Sequence, residues 1–144
     1  MSRLNIICLG VKDIVAARAF YQNLFGFVTP QTEPNPPVVF FNNNGSKLEL
    51  YPLDGLAKDI NESNPPRHLG GFPGITMAYV AKTKEEADEL FARAVKLGGK
   101  IAKAPQRVFW GGYSGYIQDL DGYYWEIAFF EGWQFDDKDM LVIV

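Results

Sequence analysis

The sequence predicts an α+β fold of two tandem βαβββ modules, whose eight strands make a curved mixed sheet around a central cup. Three observations carry that prediction. Asn44-Gly45-Ser46-Lys47-Leu48-Glu49-Leu50 and Asp121-Gly122-Tyr123-Tyr124-Trp125-Glu126-Ile127 share one layout, a turn dipeptide and then a strand with Glu four residues after the Gly. Upstream of each runs a matching strand-then-helix segment, residues 4–25 in the first copy and 75–98 in the second. Between the copies the pattern lapses into Asp, Asn, Ser, Gly and Pro, as in a loop that joins two modules. The whole chain, 1–144, is expected to form one domain, with modules 1–52 and 73–130, a joining loop 53–72 and a C-terminal tail 131–144. A duplicated unit whose copies pair can enclose a site, and the two Glu positions then face one another.

Residues 4–11 are a nearly continuous apolar run, rich in β-branched side chains, and read as a strand covered on both faces. Asp13 supplies a carboxylate to cap a helix over 14–25, along which Ile14, Ala17, Tyr21, Leu24 and Phe25 recur at helical spacing. Gly26 stops it. Residues 27–29, 38–42 and 47–51 read as three strands, the last two joined by the hairpin signal Asn43-Asn44-Gly45. The loop 53–72 is long for a structureless connection, and reads either as a partly ordered lid or as a plain linker with a helical turn at 56–60. The single histidine, His68, lies in this loop, where a surface position is expected. The second copy opens with a strand at 75–80. Thr83 then caps a helix with Glu85 and Glu86 in its first turn and Ala87, Leu90, Phe91, Ala94 and Leu97 as its buried stripe. Gly98-Gly99 ends that helix, and strands at 100–102, 112–118 and 123–130 follow. The tail closes on Met140-Leu141-Val142-Ile143-Val144, too apolar to stand free in water, so it is expected to dock on the body or on a partner chain.

Composition excludes several classes. The formal charge is -3 with no basic run, so neither nucleic acid nor an anionic membrane is an expected partner. One cysteine forbids an internal disulfide and fits a reducing compartment. No signal peptide or membrane-spanning apolar run is visible, and a cytoplasmic location is expected. No dinucleotide or phosphate loop occurs, and Gly112-Tyr113-Ser114-Gly115 has the wrong register for a nucleophile elbow.

Strand alternation assigns faces. If the bulkier set Ile7, Leu9 and Val11 meets the helix, Ile6, Cys8 and Gly10 are left for the cup. The same logic puts Ile75, Met77 and Tyr79 there in the second copy. Leu48, Leu50, Trp125 and Ile127 belong to the helix side, so Glu49, Tyr51, Tyr124, Glu126 and Ala128 point into the cup. Trp110, Tyr113 and Tyr116 complete the expected ligand-binding set, and Glu49 and Glu126 are the candidate catalytic residues.

Gly10-Val11-Lys12-Asp13, Phe20-Tyr21-Gln22-Asn23-Leu24-Phe25-Gly26-Phe27 and above all Asp119-Leu120-Asp121-Gly122-Tyr123-Tyr124-Trp125-Glu126-Ile127 resemble the vicinal oxygen chelate superfamily. That superfamily includes glyoxalase I, fosfomycin-resistance enzymes, extradiol dioxygenases and bleomycin-binding proteins. The resemblance covers the chain up to about residue 130, and Leu120 stands where the commoner motif has Pro. It implies a divalent metal held at positions that match Ile6, Glu49, Ile75 and Glu126. Two of these are isoleucine, which offers no lone pair, whereas the metal enzymes usually carry histidine or glutamine there. A one-residue shift would offer Asn5 or Thr76, but it turns the side chain to the other face. The expectation is therefore no metal and no other cofactor, with a divalent ion held by oxygens and waters as the alternative.

The favoured reading is a glyoxalase/bleomycin-resistance-like protein that binds a small, partly apolar organic ligand in the cup. A cationic centre on the ligand would meet the two acids and the aromatics would stack on it. The alternative is a glyoxalase-like lyase or isomerase with Glu126 as general base and Tyr79, Tyr116 or Lys47 stabilising an enolate. A third reading is a regulatory or scaffold role without a ligand. The resemblance also implies a homodimer.

Overall fold

Each half of the chain folds around its own capped helix. A computed structural model describes residues 2–144; they fall into two units, one ending at Gly71 and the other running Phe72–Val144. The first unit contains β1 (Ile6–Val11), α1 (Ile14–Phe25), β2 (Val39–Phe41), β3 (Lys47–Pro52) and α2 (Leu53–Ile60). Asp13 caps α1 with its Oδ1 3.0 Å from the Ala16 N–H, and Gly26 ends it in the left-handed region at φ 72. The sheet order is β1-β3-β2, with β1 parallel and β2 antiparallel to β3. The α1 stripe Ala17, Phe20, Tyr21 and Leu24 is buried, as are Leu48 and Leu50 of β3. The ring of Tyr21 lies within 6.0 Å of Phe41 and 6.2 Å of Phe27, centroid to centroid. Each such side chain removed from water contributes about 1.5–3 kcal/mol.

The second unit contains β4 (Thr76–Val80), α3 (Lys84–Lys96), β5 (Lys100–Arg107), β6 (Tyr113–Gln118) and β7 (Tyr124–Phe129). Thr83 caps α3 by accepting the Glu86 N–H at 3.0 Å. The sheet order is β4-β7-β6-β5, with β4 parallel to β7 and the other pairs antiparallel. Both units thus place the first strand of the repeat parallel to its last.

The expected single sheet of eight is not what the hydrogen bonds describe. The core strands number three in the first unit and four in the second, and a separate two-stranded ribbon, β8 (Gln134–Phe135) with β9 (Leu141–Val142), forms in the tail. The strand expected at 27–29 is absent. The Asn42 N–H donates to the Val28 carbonyl and ties that segment to the end of β2. Pro30, Pro34, Pro36 and Pro37 cannot donate to a ladder, and the Gln31 side chain takes the ladder's place, its Oε1 accepting the Phe40 N–H at 2.8 Å. The loop 53–72 is also ordered earlier than expected, opening directly into α2. That helix packs on the face of β1 opposite α1: a Cβ on Gly10 would stand 2.6 Å from Leu53 Cδ1 and 3.4 Å from Leu56 Cδ2. In the tail, the Asp136 carboxylate accepts the N–H groups of Lys138 and Met140, which closes the ribbon turn and holds its own pKa below the ordinary carboxylate value. Lys82 pairs with Asp139 and lies over the Phe135 ring, tying the ribbon to its unit, while Ile143 and Val144 stay exposed.

Candidate functional site

The register of β4 against β7 decides which side chains share a face with Glu126. Ala78 stands opposite Glu126, Thr76 opposite Tyr124, and Met77 and Tyr79 opposite Trp125 and Ile127. Trp125 and Ile127 are buried, and their face is the one α3 covers: a Cβ on Gly115, the partner of Ile127, would meet the Phe91 ring of α3 at 2.8 Å. Met77 and Tyr79 therefore lie beneath the helix, not beside Glu126, and Ile75, just ahead of the strand, shares their parity. The Tyr79 hydroxyl donates to Glu86 Oε1 of α3 at 3.0 Å. Burial first, then the Glu86 charge and this bond, push its pKa up to about 12. Tyr113 is likewise on the helix face, its hydroxyl donating to Asp88 of α3 and its ring 4.7 Å from Lys84 Nζ. Met77, Tyr79 and Tyr113, expected around the acid, thus lie on the helix face, and Thr76 and Ala78 are the β4 residues that share the face of Glu126.

The open face of β6 and β7 carries Ser114, Tyr116, Tyr124 and Glu126. Ser114 Oγ donates to Glu126 Oε1 at 2.8 Å, and the Tyr116 hydroxyl donates to Oε2 at 3.2 Å. Both carboxylate oxygens are held, each with lone-pair capacity left for a further donor. Tyr116 is raised above its ordinary pKa by burial, then by the charge and hydrogen bond of Glu126, so it stays a donor at neutral pH. Aromatic rings flank the acid on both sides along the strands. Phe72 meets Tyr124 edge-on at 5.7 Å, while Trp110 stacks on Trp133 at 5.4 Å and meets Phe130 edge-on at 6.0 Å. The Trp110 indole fills the space where a side chain on Gly112, two residues before Ser114, would stand.

In the first unit the register places Cys8 opposite Glu49, Ile6 opposite Lys47 and Gly10 opposite Tyr51. Phe40 of β2 is the other neighbour of Glu49. The Cys8 thiol is raised to about 12 by burial, then by the charge of Glu49 and its hydrogen bond to that carboxylate. Such a thiol is expected to react with iodoacetamide at pH 8 at least about a hundredfold more slowly than free cysteine. The native state keeps a proton that the unfolded chain releases from about pH 9, so the stability Cys8 contributes is present below pH 9 and lost as the pH rises toward 12. Urea unfolding across that window should be less steep in pH for Cys8→Ala; an unchanged profile would deny that burial and Glu49 keep the thiol protonated. Tyr51 packs against Gly55 of α2, whose Cβ would lie 3.1 Å from its ring. An open groove of about 480 Å³ beside Phe40 and Lys47 is walled by Val28, Pro30, Gln31 and Asn42.

The donor set of either unit suits a divalent metal poorly. The first offers Glu49 and a thiol held protonated, the second Glu126, whose oxygens already accept two hydroxyls, with only the neutral oxygens of Thr76 and Gln118 besides those hydroxyls; neither sheet face carries an imidazole. Among the described residues no three His, Cys, Asp or Glu side chains gather around one point. Among the same residues no helix is long and apolar enough to cross a membrane. Ser114 is absent from the sequence-derived site, where it enters only through a failed nucleophile motif; the alternation through Ser114, Tyr116 and Gln118 is the signal that places it beside the acid.

A protein-family model for the Glyoxalase/Bleomycin resistance protein/Dioxygenase superfamily matches residues 3–127. The mitochondrial methylmalonyl-CoA epimerase of Bos taurus is 28% identical over 109 residues, covering 68% of this chain and 62% of that protein. The chain thus spans less than two thirds of the length of the curated relatives it matches. Among solved structures, a glyoxalase-related enzyme from Fulvimarina pelagi superposes with TM-score 0.85 at 27% identity, over 99% of both chains. A lactoylglutathione lyase from Agrobacterium tumefaciens does so with TM-score 0.66 at 28% identity, over 94% of this chain and 99% of that one. A match that runs from residue 3 to residue 127 takes in both copies of the repeat and both glutamates, and the chain belongs to the glyoxalase/bleomycin resistance protein/dioxygenase superfamily.

Proposed function

We propose that the open sheet face of the second unit binds a small organic ligand directly, without a metal, through Glu126. The observation that carries this reading is the carboxylate held at both oxygens by Ser114 and Tyr116 on the face away from α3. A fixed acceptor with spare lone pairs suits a ligand that presents a cationic or N–H donor group. The rings of Trp110 and Tyr124, to either side along the strands, suit a flat apolar portion. Benzamidine, an aromatic ring bearing a planar amidinium, is the minimal probe. Titrated into protein dialysed against chelator, it should shift backbone amide resonances of residues 114–118 and 124–128. Shifts confined to α3, or none at millimolar probe, would refute the reading.

A second reading, a glyoxalase-like lyase or isomerase with Glu126 as base, is favoured by one observation: the relatives above 25% identity include an epimerase and a lyase. Here Glu126 takes a proton from a carbon next to a carbonyl, the C–H pair becomes the enolate C=C bond as the carbonyl π pair moves onto oxygen, and reprotonation at carbon restores the C=O bond. Tyr79 cannot serve that oxygen, because its hydroxyl is committed to Glu86 beneath α3; Tyr116 is on the correct face. Metal-free protein incubated with methylmalonyl-CoA in deuterated water should then incorporate deuterium at the α-carbon, and Glu126→Gln should slow this by about 10²–10⁴-fold. No incorporation above the buffer rate would leave binding alone.

A further inference from the structure

We propose that Ser114 is the positioning residue of Glu126, and that the duplication has left Glu126 rather than Glu49 as the oriented acid. This rests on the reading that Glu126 meets the ligand. The two glutamates occupy the same place in their units. Glu49 of β3 has Cys8 beside it in the parallel strand and Phe40 in the antiparallel one, while Glu126 of β7 has Ala78 and Tyr116 in those positions. Val38, two residues before Phe40 and just ahead of β2, corresponds in sequence to Ser114, two residues before Tyr116. Both hydroxyl donors of the second unit therefore have hydrocarbon counterparts in the first, where, among the described residues, the Cys8 thiol is the side chain that donates to the acid.

A glutamate side chain swings its carboxylate among staggered rotamers about two carbon–carbon bonds unless its oxygens are held separately. Ser114 is only 3% exposed and lies in the interior strand β6, where water does not compete for its hydroxyl. Its bond to Oε1 is the shorter of the two, 2.8 Å against 3.2 Å. Tyr116 is half-buried, and its phenol can turn to a ligand without freeing the acid as long as Ser114 holds the other oxygen. Burial keeps Ser114 from reaching the ligand itself, which is why its role is to position.

The test reads the acid directly. With glutamate labelled in its side chain, carbon–carbon couplings report the rotamers of Glu126 in ligand-free protein. The wild type, Ser114→Thr and Tyr116→Phe should each show one rotamer, and Ser114→Ala an average over two or more. Benzamidine affinity should fall about five- to tenfold in Ser114→Ala and recover in Ser114→Thr. A single rotamer retained in Ser114→Ala, or dispersal as large in Tyr116→Phe, overturns the assignment. If benzamidine binds no variant, wild type included, the proposed ligand reading fails while the couplings still decide the role of Ser114.

Discussion

Replacing Glu126 by glutamine is expected to weaken benzamidine binding by about ten- to a hundredfold, the loss of a hydrogen bond made to a charged group. Glutamine matches glutamate in shape, and its carbonyl can still accept from one of the two hydroxyls. Its amide nitrogen faces the other hydroxyl as a donor, and that hydroxyl can turn to accept, so the strands lose little. Only the negative charge and the second acceptor oxygen disappear from the open face. The folded state should therefore survive with its thermal midpoint within a few degrees, while the affinity measured by calorimetry collapses. Glu49→Gln is the control. Glu49 has Cys8 and Phe40 as its strand neighbours, with neither of the hydroxyls that orient Glu126, and its loss should leave benzamidine affinity within about twofold. Equal losses in the two variants would mean that the probe reads net charge, and the assignment of the site to Glu126 would fall.

The helices were legible because their signals are local. Asp13, Thr83 and Gly26 act on backbone groups within four residues, and the structure uses each as a cap. The faces of β4 were not legible by size alone, because both parities of 75–80 carry apolar residues. In the first copy the bulky β-branched set meets the helix, whereas in the second the helix takes Met77 and Tyr79. Spacing from the cap holds the answer: Ile6 precedes Asp13 by seven residues, and Thr76 precedes Thr83 by the same seven. The helix α2 was invisible beyond a turn because Pro52 and Gly55 are poor helix signals; what holds it is the seat that Gly10 leaves for Leu53 and Leu56. That information lies forty residues away in the chain. The acid itself stood out in the repeated motif, but its orientation did not, since Ser114 and Tyr116 act from a neighbouring strand.

Gly115→Ala should cost about 3 kcal/mol or more of stability, the upper end for overpacking a filled interior. A Cβ there would stand 2.5 Å from the Lys103 carbonyl oxygen, 2.9 Å from the Pro105 nitrogen and 2.8 Å from the Phe91 ring. Two of these three are backbone atoms, so no rotamer change relieves the contact; either β5 lifts or β6 moves. The pairing of β5 with β6 shifts register on both sides of Lys103, and that irregularity brings the edge strand over the glycine. Gly10→Ala offers the contrast, because its closest contact is the Leu53 Cδ1 methyl, which can turn aside with α2. Its loss should be smaller, about 1–2 kcal/mol. Urea midpoints of the two variants order them, and a Gly115→Ala loss below that of Gly10→Ala would deny that β5 seals this spot. The consequence reaches the site, because Ser114 and Tyr116 are the immediate neighbours of Gly115. A displacement of β6 by even half an ångström stretches both hydroxyl bonds to Glu126, so whatever fraction of Gly115→Ala still folds should bind benzamidine more weakly than Ser114→Ala does.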